Sequence, residues 1–117
     1  MPKSPLELLY HIRDECEFLE STKEDLPDIA SLEEDERLKR AVVRSIEIIG
    51  EASKKLGAEF QSKHPEVEWR KMGGMRDFLI HVYFGINYNI VWDVLSDKIP
   101  ELLYQVNSII QEEENQE

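Results

Sequence analysis

Three side chains near the middle of the chain have the types and order to do chemistry together. Arg76, His81 and Tyr83 follow one another as R-x4-H-x-Y inside the run from Trp69 to Phe84, W-R-K-M-G-G-M-R-D-F-L-I-H-V-Y-F. Arg carries a permanent charge on a planar fork of donors that matches a phosphate. His titrates near neutral pH and can take or give a proton. The Tyr phenol can donate or accept a hydrogen bond and can itself be modified. A base that takes the proton of a ribose 2′-hydroxyl, beside a cation that steadies charge on the phosphate, suffices to cleave RNA without a metal. The spacing alone is a common pattern, and His and Tyr on short helices serve more often as packing residues. Geometry adds a constraint. On an ideal helix, five residues place Arg76 and His81 about 140° apart, whereas Tyr83, seven after Arg76, shares its face. For Arg76 and His81 to meet on one ligand, the helix must bend or a second subunit must complete the site.

The charge around this trio is uneven. The 117 residues carry a net charge of −11, which argues against a broad nucleic-acid footprint. Residues 1–36 hold 12 acids against three bases, and residues 101–117 hold five acids and no base. Residues 37–100, which contain the trio, hold eleven bases and eight acids. A local anion site therefore remains possible inside an acidic protein. On the long helix that precedes the trio, beside its apolar stripe, runs a polar one, Arg37, Arg40, Arg44, Glu47 and Glu51, at steps of three and four. It reads either as a solvated face with internal ion pairs or as a cleft wall in which Arg40, Arg44 and Glu51 support phosphate binding.

Other chemistries find no carrier. There is no H-E-x-x-H, no C-x-x-C and no carboxylate–His cluster, so neither a bound metal nor another cofactor is expected. No Gly-rich loop follows a strand, which excludes a Rossmann or P-loop nucleotide site. Cys16 is the single cysteine; it cannot form an internal disulfide and reads as core filler. His11 and His64 lack ligand-like neighbours and read as surface or capping residues. No apolar run approaches the roughly 20 residues of a membrane span. The start, M-P-K-S-P-L-E-L-L-Y, lacks the apolar centre of a signal peptide, so a cytoplasmic location is expected.

The elements that must position the trio are helical throughout. Hydrophobic residues make up 41% and charged residues 33%, enough for one domain, residues 1–117, with one core. Ser4, Pro5 and Glu7 predict a helix start, and Leu6, Leu9, Arg13, Cys16 and Leu19 keep to one face up to about Thr22. A short helical turn is expected near Asp28–Ala30. Ser31 and Glu34 predict a second capping box. The helix it opens carries an apolar stripe of Leu38, Ala41, Val42, Ser45, Ile48, Ile49, Ala52 and Leu56. Gly50 lies inside that stripe, and Gly57 ends it. A short helix over 58–63 should stop at His64-Pro65, and Trp69 should anchor the following loop. Gly73-Gly74 is expected to open the trio's helix, which would set its positive N-terminal end close to Arg76. Asn87 or Asn89 caps a further helix, and Asp97 starts the last one, with Ile99, Leu102, Leu103, Val106, Ile109 and Ile110 buried. The tail 111–117 should fray. The fold class is all-α, a four- to five-helix antiparallel up-and-down bundle.

These residues also support a family resemblance over roughly Leu6 to Ile110. I-I-G-E-A, then P-x-x-x-W-R, then G-M-R-D-x-L-I-H-x-Y-F at these spacings resemble the HepT-like group of HEPN domains. The resemblance implies an all-α homodimer in which the R-x4-H motifs of two subunits face one cleft. It implies a metal-independent ribonuclease, the toxin of a toxin–antitoxin pair. Its partner would be an MNT-type nucleotidyltransferase antitoxin that silences it, including by adding AMP to the motif tyrosine. By position, Arg76 and His81 match the catalytic pair and Tyr83 the modified phenol. The sequence departs from the pattern at Val82, where many relatives carry a polar residue, and Asp77 follows the Arg closely. An alternative is a non-catalytic nucleotide- or partner-binding subunit of a two-chain nucleotidyltransferase.

Overall fold

A computed structural model of the chain describes residues 3–81 and 85–116, and within these the side chains of Arg76, Phe78, Leu79, Ile80 and His81 fall outside the description. The architecture is an all-α bundle. Four long helices, α1 (Pro5–Glu24), α3 (Glu36–Lys55), α5 (Trp69–His81) and α7 (Ile99–Asn115), form its body, and α2 (Ile29–Glu33), α4 (Gly57–Lys63) and α6 (Tyr88–Asp93) make the short links. There is no strand among the described residues, and no described helix is long and apolar enough to cross a membrane.

The start of α1 follows its sequence signal. Ser4 accepts the amide of Glu7 at 3.2 Å, with Pro5 in the first turn. The helix runs to Glu24 and buries Leu8, Leu9, Ile12, Cys16, Leu19 and Thr22. The expected stripe is thus rotated slightly: Leu6 and Arg13 lie on its margin, where Arg13 pairs with Asp14 at 3.2 Å and Glu17 at 3.4 Å.

The expected box at Ser31 and Glu34 is corrected. Asp28 caps α2, accepting the amide of Ser31 at 3.0 Å and its hydroxyl at 2.9 Å. Asp35 caps α3, accepting the amide of Leu38 at 2.9 Å. Carboxylates cap as well as serine and add favourable charge at the helix N-terminus. Two of them, seven residues apart, therefore extend the expected short turn through Ser31 as α2 and move the cap of the long helix from Ser31 to Asp35.

Helix α3 is the centre of the bundle, packed between α1 and α5. Being covered on two sides, it buries a wider face than one stripe: Val42, Val43, Ser45, Ile46, Ile49, Gly50, Ala52 and Ser53. Its buried hydroxyls are satisfied, Ser45 donating to Glu15 of α1 at 2.6 Å and Ser53 to the Ile49 carbonyl at 2.7 Å. Gly57 ends the run as expected, at φ 84°, a conformation that costs an L-residue with a Cβ roughly 1–2 kcal/mol.

Asn87 caps α6 through the amide of Asn89 at 2.9 Å. The last helix is not opened by Asp97. Helix α6 passes into one π-helical turn, Val94–Lys98, and this passes directly into α7 with Pro100 in its first turn and no side-chain cap. Pro100 has no amide to give to the helix behind it, and a widened turn accommodates the missing bond. Helix α7 buries Ile99, Leu102, Val106, Ile109 and Ile110 and runs antiparallel to α1. Tyr10, near the start of α1, donates to Glu114, near the end of α7, at 2.6 Å.

Candidate active site on the central helix pair

Helix α5 carries the motif and is set by its first residue. Trp69 is buried, and its indole Nε1–H donates to the His64 carbonyl at 2.9 Å. That bond draws the 64–68 loop inward. Of the two readings of His64, surface or capping, the cap holds, since His64 is the C-cap of α4, and the surface one does not. His64 is only 3% exposed. Its ring lies 4.8 Å from that of Phe60, with Nε2 3.1 Å from Glu113 and Nδ1 3.6 Å from Glu66. The available signal was Trp69 itself, whose indole N–H needs an acceptor once buried. His11, by contrast, is exposed as read, with Nε2 2.6 Å from the Lys3 ammonium.

Gly73 and Gly74 do not open α5; they lie in its second turn. Arg76 stands seven residues, about two turns, inside the helix, so the positive N-terminal end is not beside it and that part of the anion argument falls. Gly73 has a different use. A Cβ there would meet Lys54 Cε at 3.1 Å and Cγ at 3.2 Å. The Lys54 stem thus lies across Gly73, one turn before its ammonium reaches both Asp77 oxygens at 2.7 Å. The carboxylate that follows Arg76 is met by a cation from α3.

The same contact gives the direction of packing. Lys54, at the end of α3, meets the middle of α5, while Ile86 and Tyr88, beyond the end of α5, lie against Glu36–Arg44 at the start of α3. The two helices are antiparallel, and the His81 backbone falls near the level of Arg44–Ile48, about 6 Å past Asp77 along the axis. Helix α5 is regular α-helix from Trp69 to His81. On such a helix, positions 76 and 81 stand about 140° apart around the axis. Tyr83, with Val82 and Phe84, lies outside the described residues.

The supporting residues divide between two grooves. Arg40 and Arg44 line one of about 420 Å³ with Glu36, Lys39, Val43, Glu47, Ile86 and Tyr88. Glu51 lines a second, of about 220 Å³, together with Arg44, His11, Ile48 and Lys55, and it pairs with Lys55 at 3.2 Å. Arg44 is the one side chain of the three common to both. Within the first groove Arg44 reaches Glu47 at 3.4 Å. Lys39 holds Glu36 at 2.8 Å and stands over the Tyr88 ring at 5.4 Å. The hydrogen bond from Lys39 holds the Glu36 carboxyl below its ordinary pKa and raises that of Lys39 itself. Sequence reasoning missed Lys39, Ile86 and Tyr88, because only the return of the chain after α5 brings the last two against α3.

The family described as ribonuclease HepT-like matches residues 12–109. A protein of Caldanaerobacter subterraneus subsp. tengcongensis, provisionally named an RNase, is 49% identical over 95% of this chain and 98% of its own. One of Methanocaldococcus jannaschii with the same kind of name is 45% identical over 71% of this chain and 69% of its own. One of Thermococcus cleftensis, named a probable ribonuclease HepT, is 47% identical over 58% of this chain and 62% of its own. No solved structure matches. With the family match spanning most of its length, the chain belongs to the HepT-like ribonuclease family.

Proposed function

We propose that this protein is a metal-independent endoribonuclease, the toxin of a toxin–antitoxin pair, acting as a homodimer. The observation that carries the site assignment is the regular helix from Trp69 to His81, which keeps Arg76 and His81 on different faces and so favours a cleft completed by a second copy. In this reading His81 takes the proton of a ribose 2′-hydroxyl. The 2′-oxygen then bonds to phosphorus, and the P–O5′ bond breaks. The leaving 5′-oxygen takes a proton back from the same His81 or from water. The products are a 2′,3′-cyclic phosphate and a 5′-hydroxyl. Arg76 pairs with the phosphate as its charge rises, an interaction stronger in the transition state than in the ground state. Membership of the ribonuclease family and the names of the relatives support RNA as substrate.

The test is incubation of purified protein with cellular RNA in EDTA. Wild type leaves cyclic phosphate ends, and His81→Ala loses roughly 10²- to 10⁴-fold in rate. Cleavage unchanged in His81→Ala removes the assignment. Control rests on Tyr83. An MNT-type nucleotidyltransferase partner adds AMP to its phenol, setting a bulky anion beside Arg76, whose fork pairs with the new phosphate and closes the cleft to RNA. Tyr83→Phe keeps cleavage and escapes silencing by partner and ATP. Adducts that persist on Tyr83→Phe place the modification elsewhere.

A further inference from the structure

The groove between the start of α3 and the segment 86–88 has the composition of a strand-binding track. Among the described residues its lining holds three cations, Lys39, Arg40 and Arg44, against two carboxylates, Glu36 and Glu47, in a chain whose net charge is −11. Lys39 is committed to Glu36 at 2.8 Å, and Arg44 has a long 3.4 Å contact with Glu47 while 65% exposed. Arg40 is exposed, and its charge adds to that of Lys39 in holding the Glu36 carboxyl down. Arg40 and Arg44 stand one turn apart, about 6 Å of rise on the same face. A ribonucleotide backbone can follow that step. The opposite wall, Ile86 and Tyr88, is apolar and aromatic, the surface on which an unpaired base stacks. The groove also lies at the end of α5, near the level of His81.

We propose that this groove holds the single-stranded RNA next to the cleaved bond, Arg40 and Arg44 each taking a phosphate and Tyr88 supporting a base. The proposal rests on the ribonuclease reading above. It also fits an acidic protein: the contact is confined to a short basic stripe, and 0.1 M salt screens the acid-rich tail beyond about 10 Å, while Glu33 and Asp35 at the groove's near end act on Lys39 and Glu36.

The test uses the full chain bearing His81→Ala, so that binding is read without cleavage. Anisotropy of a labelled single-stranded oligoribonucleotide is followed across salt concentrations. Arg40→Gln with Arg44→Gln should weaken binding roughly tenfold or more. It should also make the log–log salt slope shallower by about 1.4, two contacts at about 0.7 each. Tyr88→Leu should weaken binding with the slope unchanged. Arg70→Gln, an exposed arginine outside this groove, should bind as the parent does. An unchanged double variant overturns the proposal. So does an equal loss in Arg70→Gln, which would mean diffuse attraction, or a loss that tracks a change in oligomeric state, which would make the groove a contact between copies. Since the readout is binding, failure of His81 as the catalytic group would show in the cleavage assay and leave this result standing.

Discussion

Lys54 shows how much one side chain can set near a site without strengthening the fold. Its ammonium bridges both oxygens of Asp77, yet the two side chains are 47% and 44% exposed, and pairs in that setting contribute about 0–1 kcal/mol. Asp77→Asn should therefore shift the unfolding free energy by less than about 1 kcal/mol, measured by denaturant titration. A larger loss would mean that the pair holds α3 and α5 together. Cys16 is the opposite case. Burial, then the neighbouring Glu20, Glu15 and Glu17, push its thiol up to about 12. Since the thiolate is the reactive form, the native protein at pH 8 should resist iodoacetamide and label fully only once unfolded. Labelling of the folded chain would show that α1 opens locally. His64 was legible as a cap, which it is for α4, but not as a buried residue, because its carbonyl is claimed by a Trp five residues later. His64→Ala leaves Glu113 without its ring partner and opens a gap beside Phe60, and should cost roughly 1–3 kcal/mol.

At the scale of elements, what could be read in advance was whatever rested on local chemistry. Ser4, Asn87 and Gly57 end or begin helices as their types require, because the cap hydrogen bond and the positive φ involve only neighbours in sequence. The expected Ser31 cap failed for a local reason too: Asp28 and Asp35 offer stronger acceptors on either side of it. Asp35→Ala should cost α3 about 1 kcal/mol, whereas Ser31→Ala should cost less, since Ser31 donates to the cap rather than being one; equal losses would restore the expected box. Gly57→Ala should lose roughly 1–2 kcal/mol at its positive φ. The start of α5 was not legible, because two glycines in a row suggest a break and only tertiary contacts, the Trp69 anchor and the Lys54 stem over Gly73, explain them inside a helix. Glu68, just before α5, is held below the ordinary carboxylate range by Lys71 first and then Lys98. A depressed pKa in the folded state adds stability that is present above the unfolded value and is lost as pH falls through the folded one. That tie between the start of α5 and the entry to α7 weakens under acid.

At the scale of the whole molecule, the proposed reaction requires Arg76 and His81 to reach one phosphate. The motif was legible in sequence and so was the angular conflict within it; the grooves flanking α3 were not, since they depend on where the chain returns after α5. In the proposed two-fold homodimer, the second copy supplies the residue that a straight α5 turns away. Sedimentation at micromolar concentration should give about twice the 13.8 kDa chain mass. Stoichiometry alone, though, would not separate a shared site from two self-contained ones. Mixing two inactive proteins does. Arg76→Ala keeps His81, and His81→Ala keeps Arg76. If each site draws its Arg from one copy and its His from the other, a mixed dimer rebuilds one intact site and leaves its second site empty of both. After equal mixing and subunit exchange, half the dimers are mixed, so cleavage should return to about a quarter of the wild-type rate. If each subunit supplies both residues to its own site, no mixture contains an intact pair and the rate stays at the background of the single variants. That outcome in a proven mixed dimer would end the composite-site argument and would require α5 to change course between Arg76 and His81 when RNA binds.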